Sequence, residues 1–271
     1  MYSLIITDVD GTLVDGKQQI PAINTKAVER LRSHGTQLSL ATGRTWVSAE
    51  PFVRQLRLTA PSVLFNGCRI VDPDGRPLYS ELLDIDTALA GLDLARDADC
   101  TAFLYVDDRL FVEQRTERVT AQERKDGVEC ESIGSLAAHL QRPNAAAPTK
   151  ILFVGDVDSA RSLNDRLSER LAGRARIVQS ELDYVEILPP GVGKGPALLR
   201  LCGILGVAPD RVAAIGDNPN DIDMIETAGF GAAPANAHPD VLAVADYVAG
   251  VSSGDGAFAE IIDHILPPLK L

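Results

Sequence analysis

Short apolar runs alternate with longer amphipathic stretches in the first third of the chain. The runs at residues 4–6, 37–41 and 63–65 are rich in β-branched or aliphatic side chains and end at polar or glycine-containing sequence. Such runs predict buried strands, whereas the helical spacing of apolar residues over 21–34 predicts a helix. A second helix is predicted after residue 44, with Pro51 near its first turn or at a kink. This strand–helix alternation predicts βαβ units and a parallel sheet.

The alternation of predicted strands and helices becomes less regular at about residue 82 and resumes at about residue 189. In between, the sequence predicts helices at 87–98 and 159–171, and strands at 101–106, 110–113, 150–154, 176–180 and 184–188. After it, the sequence predicts a helix at 194–205, a strand at 211–215 and a last helix at 256–265. We therefore predict an α/β fold: a doubly wound, mainly parallel, Rossmann-like core domain formed by 1–81 and 189–271. An α+β cap domain is inserted at 82–188, since the entropy of loop closure rises slowly with length.

Two aspartates directly follow the first predicted strand. Asp8 and Asp10 precede Gly11 at the carboxyl end of that strand, which is where open parallel sheets bind ligands. Neighbouring carboxylates attract a cation, and oxygen ligands suit Mg²⁺, which usually binds together with phosphate. An aspartate can also attack phosphorus and form an aspartyl-phosphate. The alternative is an acidic turn in which Gly11 relieves backbone strain.

Further polar residues stand at later strand ends and helix starts, in an order that suits phosphoryl transfer. The hydroxyl of Thr42 could donate to a phosphate oxygen, and Lys194 could supply a positive charge. Asp10 could protonate the leaving alcohol and later accept a proton from water. A second acidic segment follows the strand at 211–215 and contains Asp217, Asn220 and Asp221. Taken singly, Thr42 could be a turn residue and Lys194 a solvated helix start.

Together these segments resemble the four ordered motifs of the haloacid dehalogenase-like phosphatases. The matching segments are 8–12, 41–44, 193–195 and 216–221. Asn66-Gly67 and the insert between the second and third motifs are similar to the Cof-like branch, whose cap is of type IIB. The resemblance covers the predicted core domain, while the cap matches only in position, length and its exit segment.

The resemblance implies a role for each acidic residue. Asp8 would be the nucleophile and a Mg²⁺ ligand, and Asp10 would be the general acid and base with its backbone carbonyl on the metal. Asp217 would be a third metal ligand, and Asp221 would support the metal shell. The substrate-binding residues are expected to be Thr42, Gly43, Arg44, Asn66, Lys194 and Asn220.

Three of the predicted positions keep two interpretations. Arg44 could contact substrate or pair with an acidic residue of the core, and Asn66 could instead be a turn residue before Gly67. Glu186, on the strand that leaves the insert, could point to the cleft or to solvent.

Composition excludes several classes of partner. The 271 residues carry a formal net charge of −12, which argues against nucleic acid and anionic membranes as partners. There is no apolar window of membrane-spanning length and no signal-peptide pattern, and the four scattered cysteines fit free thiols. We expect a cytoplasmic protein, monomeric or homodimeric, with a small phosphorylated metabolite as its partner.

The leading hypothesis is a Mg²⁺-dependent phosphatase that hydrolyses a small phosphate monoester, such as a sugar phosphate or phosphoglycolate, through an aspartyl-phosphate. A phosphomutase of the same fold is the nearest alternative. A receiver-like signalling protein also uses paired acids, Thr and Lys, but as a shorter chain without an insert. A catalytically silent binder of phosphorylated ligands is a further alternative. The sequence does not specify the substrate or the cap residues that select it.

Overall fold

The computed structural model of the protein describes residues 2–266, which form two compact units. The first unit contains the chain up to Gly43, the segment Ala49–Tyr79 and the chain from Gly193 onward. The second unit contains Arg44–Ser48 and Ser80–Val192. The functional division into a catalytic core and a substrate-selecting cap stays a prediction.

The chain up to residue 80 alternates strands and helices before it ends in a hairpin. Its elements are β1 (Leu4–Thr7), α1 (Ala22–Ser33), β2 (Gln37–Leu40), α2 (Trp46–Gln55), β3 (Ser62–Leu64), β4 (Arg69–Val71) and β5 (Pro77–Ser80). Pro51 lies inside α2, and a single turn of 3₁₀ helix, Phe65–Gly67, joins β3 to β4.

The second unit has a mixed order of helices and strands. Its elements are α3 (Ile85–Leu94), β6 (Cys100–Val106), β7 (Arg109–Val112), α4 (Glu117–Asp126), β8 (Cys130–Ser132), α5 (Leu136–Leu140), β9 (Lys150–Gly155), α6 (Val157–Arg170), β10 (Arg176–Val178) and β11 (Tyr184–Leu188). The side chains of Asp84, Thr116, Ser135 and Asp156 accept hydrogen bonds at the starts of α3, α4, α5 and α6, as N-caps do.

The chain then returns to the first unit. The remaining elements are α7 (Lys194–Leu205), β12 (Val212–Ile215), α8 (Ile222–Thr227), β13 (Phe230–Ala233), α9 (Pro239–Val244), β14 (Tyr247–Val248) and α10 (Ala257–Ile265). A turn of 3₁₀ helix, Pro219–Asp221, precedes α8.

The first unit is built on a parallel sheet with the strand order β14-β13-β12-β1-β2. On one face, Leu4, Ile6 and Ala214 pack against α7 and α8, so alternate residues of β1 face the opposite side. There α1 and α10 lie together, and Ala259 donates its N–H to Asn24 Oδ1 at 3.3 Å. Helices on both faces confirm the predicted α/β class. The arrangement puts the carboxyl ends of β1, β2 and β12 on one edge.

The second unit contains a six-stranded sheet with the order β10-β11-β9-β6-β7-β8, in which only β7 and β8 pair in parallel. Residues of α3, α5 and α6 pack on one face against side chains such as Leu104, Ile151 and Val185. The α+β character expected for the insert is present in these elements.

The differences from the predicted elements lie mainly between residues 114 and 140. The sequence interpretation included no helix at α4 or α5 and no strand at β8. In α4 only Val119 and Gln122 are buried, so no continuous apolar stripe marks this helix in the sequence. The four cysteines are free, as predicted.

Candidate active site

The first candidate residue, Asp8, stands at the end of the central strand β1. Its backbone N–H donates to Ile215 O at 2.8 Å, which continues the pairing of β1 with β12 by one residue. Next along the chain, Gly11 has a φ of +73°, and a Cβ on it would lie 2.3 Å from Asp217 Oδ2. Thr12 Oγ1 also donates to Asp217 Oδ1, at 2.7 Å. The loop after β1 therefore lies directly against the acidic residue that follows β12.

Lys194 joins this group from the start of α7. Its Nζ donates to Asp8 Oδ1 at 2.7 Å and to Asp221 Oδ1 at 2.5 Å. The lysine side chain is only 1% exposed, so solvent screens these ion pairs little. Residues separated by 186 positions in sequence, Asp8 and Lys194, thus form a direct buried ion pair.

Asp221 organises the loop that carries Asp217. Its Oδ2 accepts the backbone N–H groups of Asp217 and Asn218, both at 3.0 Å. Gly216 is required beside it, because a Cβ there would lie 2.4 Å from the Asp221 side chain. Both oxygens of Asp221 are therefore engaged by donors of the protein itself.

The carboxylates of Asp8, Asp217 and Asp221 offer oxygen atoms that all lie within 4.8 Å of one another. Burial raises the pKa of Asp8 well above its ordinary value. Lys194 opposes this rise, and the negative charges of Asp221, Asp217 and Asp10 add to it. Burial and then the charge of Asp221 raise the pKa of Asp217 to about 7. Although burial lowers the pKa of Lys194, the two carboxylates it contacts raise it above its ordinary value, so the lysine is charged.

The three carboxylates and Lys194 together offer more negative than positive charge. This imbalance bears on whether a cation fits the site. Three buried carboxylates share one ammonium group, and Asp10 is close enough to raise the pKa values of Asp8 and Asp217. Oxygen donors alone suit a hard divalent cation. The donor set therefore fits a divalent metal ion. The Asp10 side chain, which the sequence pattern suggested as a metal ligand, is not in this carboxylate group, whereas the family resemblance implied that its backbone carbonyl binds the metal.

A second set of predicted residues meets beside the ends of β2 and β3. Thr42 is buried; its N–H donates to Val63 O at 3.0 Å, and its carbonyl accepts from Asn66 N–H at 2.9 Å. Asn220 Nδ2 donates to Asn66 Oδ1 at 3.1 Å. A Cβ on Gly43 would lie 3.2 Å from Asn66 Nδ2. The structure thus brings Thr42, Gly43, Asn66 and Asn220 into one group.

Arg44 belongs to the second unit, whereas Thr42, Gly43, Asn66 and Asn220 belong to the first. Its Nη1 donates to Ser48 Oγ at 2.7 Å. Burial raises the pKa of Asp126 in the same unit, and the charge of Arg44 is among those that oppose the rise. Glu186 is buried against Lys150 rather than directed to solvent.

Sequence reasoning missed two residues that shape the site. Thr12 was noted only as part of the first motif, although its hydroxyl binds Asp217. Asn236 Nδ2 donates to Gly11 O at 2.9 Å, and Asn236 Oδ1 accepts from Ser253 N–H at 2.8 Å. The position of Thr12 within the Asp-x-Asp-Gly-Thr segment was an available signal, and Asn236-Ala237 also resembles a segment of the Cof-like branch, although nothing in the sequence indicated its contact with Gly11.

The fold and site agree with a comparison against known families. A family model described as haloacid dehalogenase-like hydrolase matches residues 5–262. The chain belongs to this family, in agreement with the resemblance found in its motifs.

Curated relatives point to phosphate chemistry. An HMP-PP phosphatase of Cronobacter sakazakii is 32% identical over 87% of this chain and 85% of its own length. Another of Klebsiella pneumoniae is 31% identical over 90% of this chain and 88% of its own. Endoribonuclease YBEY, chloroplastic, of Arabidopsis thaliana is 30% identical over 96% of this chain, which spans 46% of that protein. The family and the two phosphatases identify the chain as a hydrolase that acts on phosphate esters.

Solved structures share the whole fold. A haloacid dehalogenase-like hydrolase from Bacteroides thetaiotaomicron is 26% identical, with a TM-score of 0.85 over 98% of this chain and 100% of its own. A haloacid dehalogenase-like hydrolase from B. subtilis, 24% identical, gives a TM-score of 0.88 over 97% of this chain and 100% of its own. Among the helices of residues 2–266, none has the length and apolarity needed to cross a bilayer.

Proposed function

We propose that the protein is a Mg²⁺-dependent phosphatase that hydrolyses a small phosphate monoester through an aspartyl-phosphate on Asp8. The observation that supports this most directly is the buried contact of Asp8 Oδ1 with Lys194 Nζ at 2.7 Å, within a group of three carboxylates. The lysine favours the ionised form of Asp8, which is the form that attacks phosphorus.

Asp8 and Asp217 would hold the metal together with the backbone carbonyl of Asp10. When bound, a divalent cation neutralises phosphate oxygens and lowers the cost of ionising the buried carboxylates. Asp221 has a supporting role in this proposal, because its oxygens already accept from Lys194 and from two backbone N–H groups.

The chain's own residues account for the two half-reactions. In the first, a carboxylate oxygen of Asp8 forms a bond to phosphorus while the bond from phosphorus to the leaving oxygen breaks. Asp10 gives its proton to that oxygen, so the product leaves as an alcohol. In the second, Asp10 takes a proton from water, whose oxygen attacks phosphorus and releases inorganic phosphate and Asp8. Lys194 and Thr42 bind the phosphoryl oxygens.

The relatives and the inserted unit support the proposed substrate class. Two relatives are named HMP-PP phosphatases, so HMP-PP belongs in the test panel beside sugar phosphates and phosphoglycolate. The second unit would act as a lid that selects a small leaving group and excludes water. Membership of a hydrolase family favours turnover over the receiver-like alternative.

The deciding experiment measures phosphate release from this panel with Mg²⁺ and with EDTA. We expect Mg²⁺-dependent release from at least one ester and its loss in Asp8→Asn. Asp74→Asn, the same change in an exposed turn, is the matched control and should keep full activity. Activity in Asp8→Asn equal to that of the wild type would reject the proposal. Product that appears as an isomer without free phosphate would indicate the phosphomutase instead.

A further inference from the structure

The backbone is unusual where β3 ends. Phe65, Asn66 and Gly67 follow one another with φ values of 51°, 54° and 102°. Left-handed backbone is uncommon for side chains other than glycine and is an outlier for a bulky residue such as phenylalanine. Strain of this kind persists where the surroundings enforce it, and it concentrates at functional sites.

The surroundings that enforce this conformation are the predicted phosphate-binding segments. Asn66 N–H donates to Thr42 O at 2.9 Å. Gly67 faces the start of α7, because a Cβ on it would lie 2.3 Å from Gly193 O, one residue before Lys194. Asn66 Oδ1 accepts from Asn220 Nδ2 at 3.1 Å. One turn of chain therefore touches the Thr42, Lys194 and Asn220 segments together.

The hydrogen bond between Asn66 and Asn220 uses only one of the two polar atoms of the Asn220 amide. Asn220 uses its Nδ2 on Asn66, while its Oδ1 is buried and has no hydrogen-bond partner among the described residues. A buried acceptor normally has a donor. Since residues 2–266 supply none, the donor must be a group that enters the site.

We propose that Asn66 is a positioning residue of the phosphoryl pocket: it holds the Thr42–Gly43 loop at a fixed distance from Asn220 and orients the Asn220 amide so that Oδ1 accepts from an O–H donor in that pocket. The donor is water or a hydroxyl of the substrate. This inference rests on the proposed function, and it changes the expected role of Asn66 from contact with substrate to orientation of a neighbour.

The test uses four variants: Asn66→Gly, Asn220→Ala, their double variant, and the control Asn144→Gly. Glycine adopts the left-handed backbone readily, so Asn66→Gly removes the amide without adding strain. Asn144 is exposed and has a φ of 61°, so it offers the same chemical change in the same backbone region. We expect a wild-type melting temperature in Asn66→Gly with kcat/KM lowered about 10- to 100-fold, and full activity in Asn144→Gly.

The double variant separates positioning from general damage. If Asn66 acts through Asn220, the double variant should lose no more activity than Asn220→Ala alone. Additive losses, or wild-type kcat/KM in Asn66→Gly, would overturn the inference. Asn66→Asp keeps an acceptor oxygen for Asn220 and places a charge beside Gly43, so kcat should stay near wild type while KM rises.

Two further arms identify the donor and protect the result from failure of the proposed function. p-Nitrophenyl phosphate has no hydroxyl on its leaving group, so an equal loss on this ester and on a sugar phosphate indicates water, and a loss on the sugar phosphate alone indicates a substrate hydroxyl. If the wild type hydrolyses no ester, titration calorimetry with inorganic phosphate and Mg²⁺ decides. Weaker binding by Asn66→Gly than by Asn144→Gly supports the inference, and equal binding or none by the wild type rejects it.

Discussion

Among residues 2–266, each compact unit buries one lysine against carboxylate, and the two arrangements differ in their charge balance. In the second unit, Lys150 Nζ donates to Glu186 Oε2 at 2.6 Å, Ser180 Oγ donates to Glu186 Oε1 at 2.6 Å, and the Tyr105 ring centre lies 4.7 Å from Nζ. In the first unit, Lys194 contacts Asp8 and Asp221, and the carboxylate of Asp217 clusters with these two.

The comparison shows how to distinguish a self-sufficient ion pair from a site that needs a ligand. At Lys150 the ammonium group donates to the Glu186 carboxylate, which also accepts from the Ser180 hydroxyl. At Lys194 one ammonium group faces several carboxylates; burial first, and then the neighbouring aspartates, raise the pKa values of Asp8 and Asp217. Burial alone would not separate the two lysines, since both are almost inaccessible.

The largest expected effect comes from breaking the ion pair of Lys150 and Glu186. Lys150→Met leaves Glu186 buried without its cation, so we expect a loss of about 3–5 kcal/mol in the free energy of unfolding. The double variant Lys150→Met/Glu186→Leu removes both charges and should recover most of that loss. Urea unfolding of both variants measures this difference. A double variant as unstable as the single one would show that the pair is not self-contained.

Breaking the cluster of Lys194 with its three carboxylates should affect catalysis before stability. Lys194→Met removes the cation that opposes the rise in the pKa of Asp8 and binds phosphoryl oxygens in the proposed reaction, so we expect kcat/KM for phosphate release to fall about 10²–10³-fold. Adding Asp221→Leu should not restore it, in contrast to the rescue at Lys150. Lys26→Met, on the exposed face of α1, serves as the control and should leave the rate unchanged. Substantial activity in Lys194→Met would contradict the assigned role.

Removing the Thr12 hydroxyl, which donates to Asp217, should have a smaller effect. Thr12→Val removes the hydrogen bond to Asp217 Oδ1, whereas Thr12→Ser keeps it. Loss of such an outer contact typically lowers metal affinity about 10- to 100-fold. The Mg²⁺ concentration at half-maximal rate should therefore rise in the valine variant and stay near wild type in the serine variant. Equal values in the two variants would remove Thr12 from the metal site.

The smallest effect concerns pH in the metal-free protein. Because the pKa of Asp217 is raised to about 7, the folded chain binds a proton that the unfolded chain releases near pH 4. Folded stability should therefore fall as pH rises through 7, by about 1 kcal/mol between pH 6 and pH 8. Melting in EDTA measures this, and Mg²⁺ should stabilise more at pH 8 than at pH 6. Asp217→Asn should weaken the dependence; a wild type that gains stability with rising pH would contradict it.

Much of the first unit could be predicted because its signals are local. The apolar runs at β1, β2 and β12 each end in polar residues, and parallel strands bring their carboxyl ends to one edge. This explains why Asp8 and Asp217 could be expected to meet, as they do in the structure. Their chemical roles stay predictions until the variants are measured.

The contacts that sequence reasoning could not supply depend on atoms far apart in the chain. Asn236 reaches Gly11 across 225 positions. The sequence left two orientations of Glu186 open, toward the cleft or toward solvent, because its partner Lys150 lies on another strand. Only the register of the strands brings the two residues together. Helix α4 was missed for a different reason, since its mostly polar sequence lacks the stripe that marks an amphipathic helix.

Asp221 gives the lysine a second, permanent anchor. When Asp8 is phosphorylated in the proposed reaction, its carboxylate loses its own charge, yet the 2.5 Å contact of Lys194 with Asp221 involves no reacting atom. The ammonium group can therefore keep its place while its other partner is modified. The enzyme would begin its second half-reaction with this charge already positioned, and no side-chain movement would be needed to reset it between turnovers.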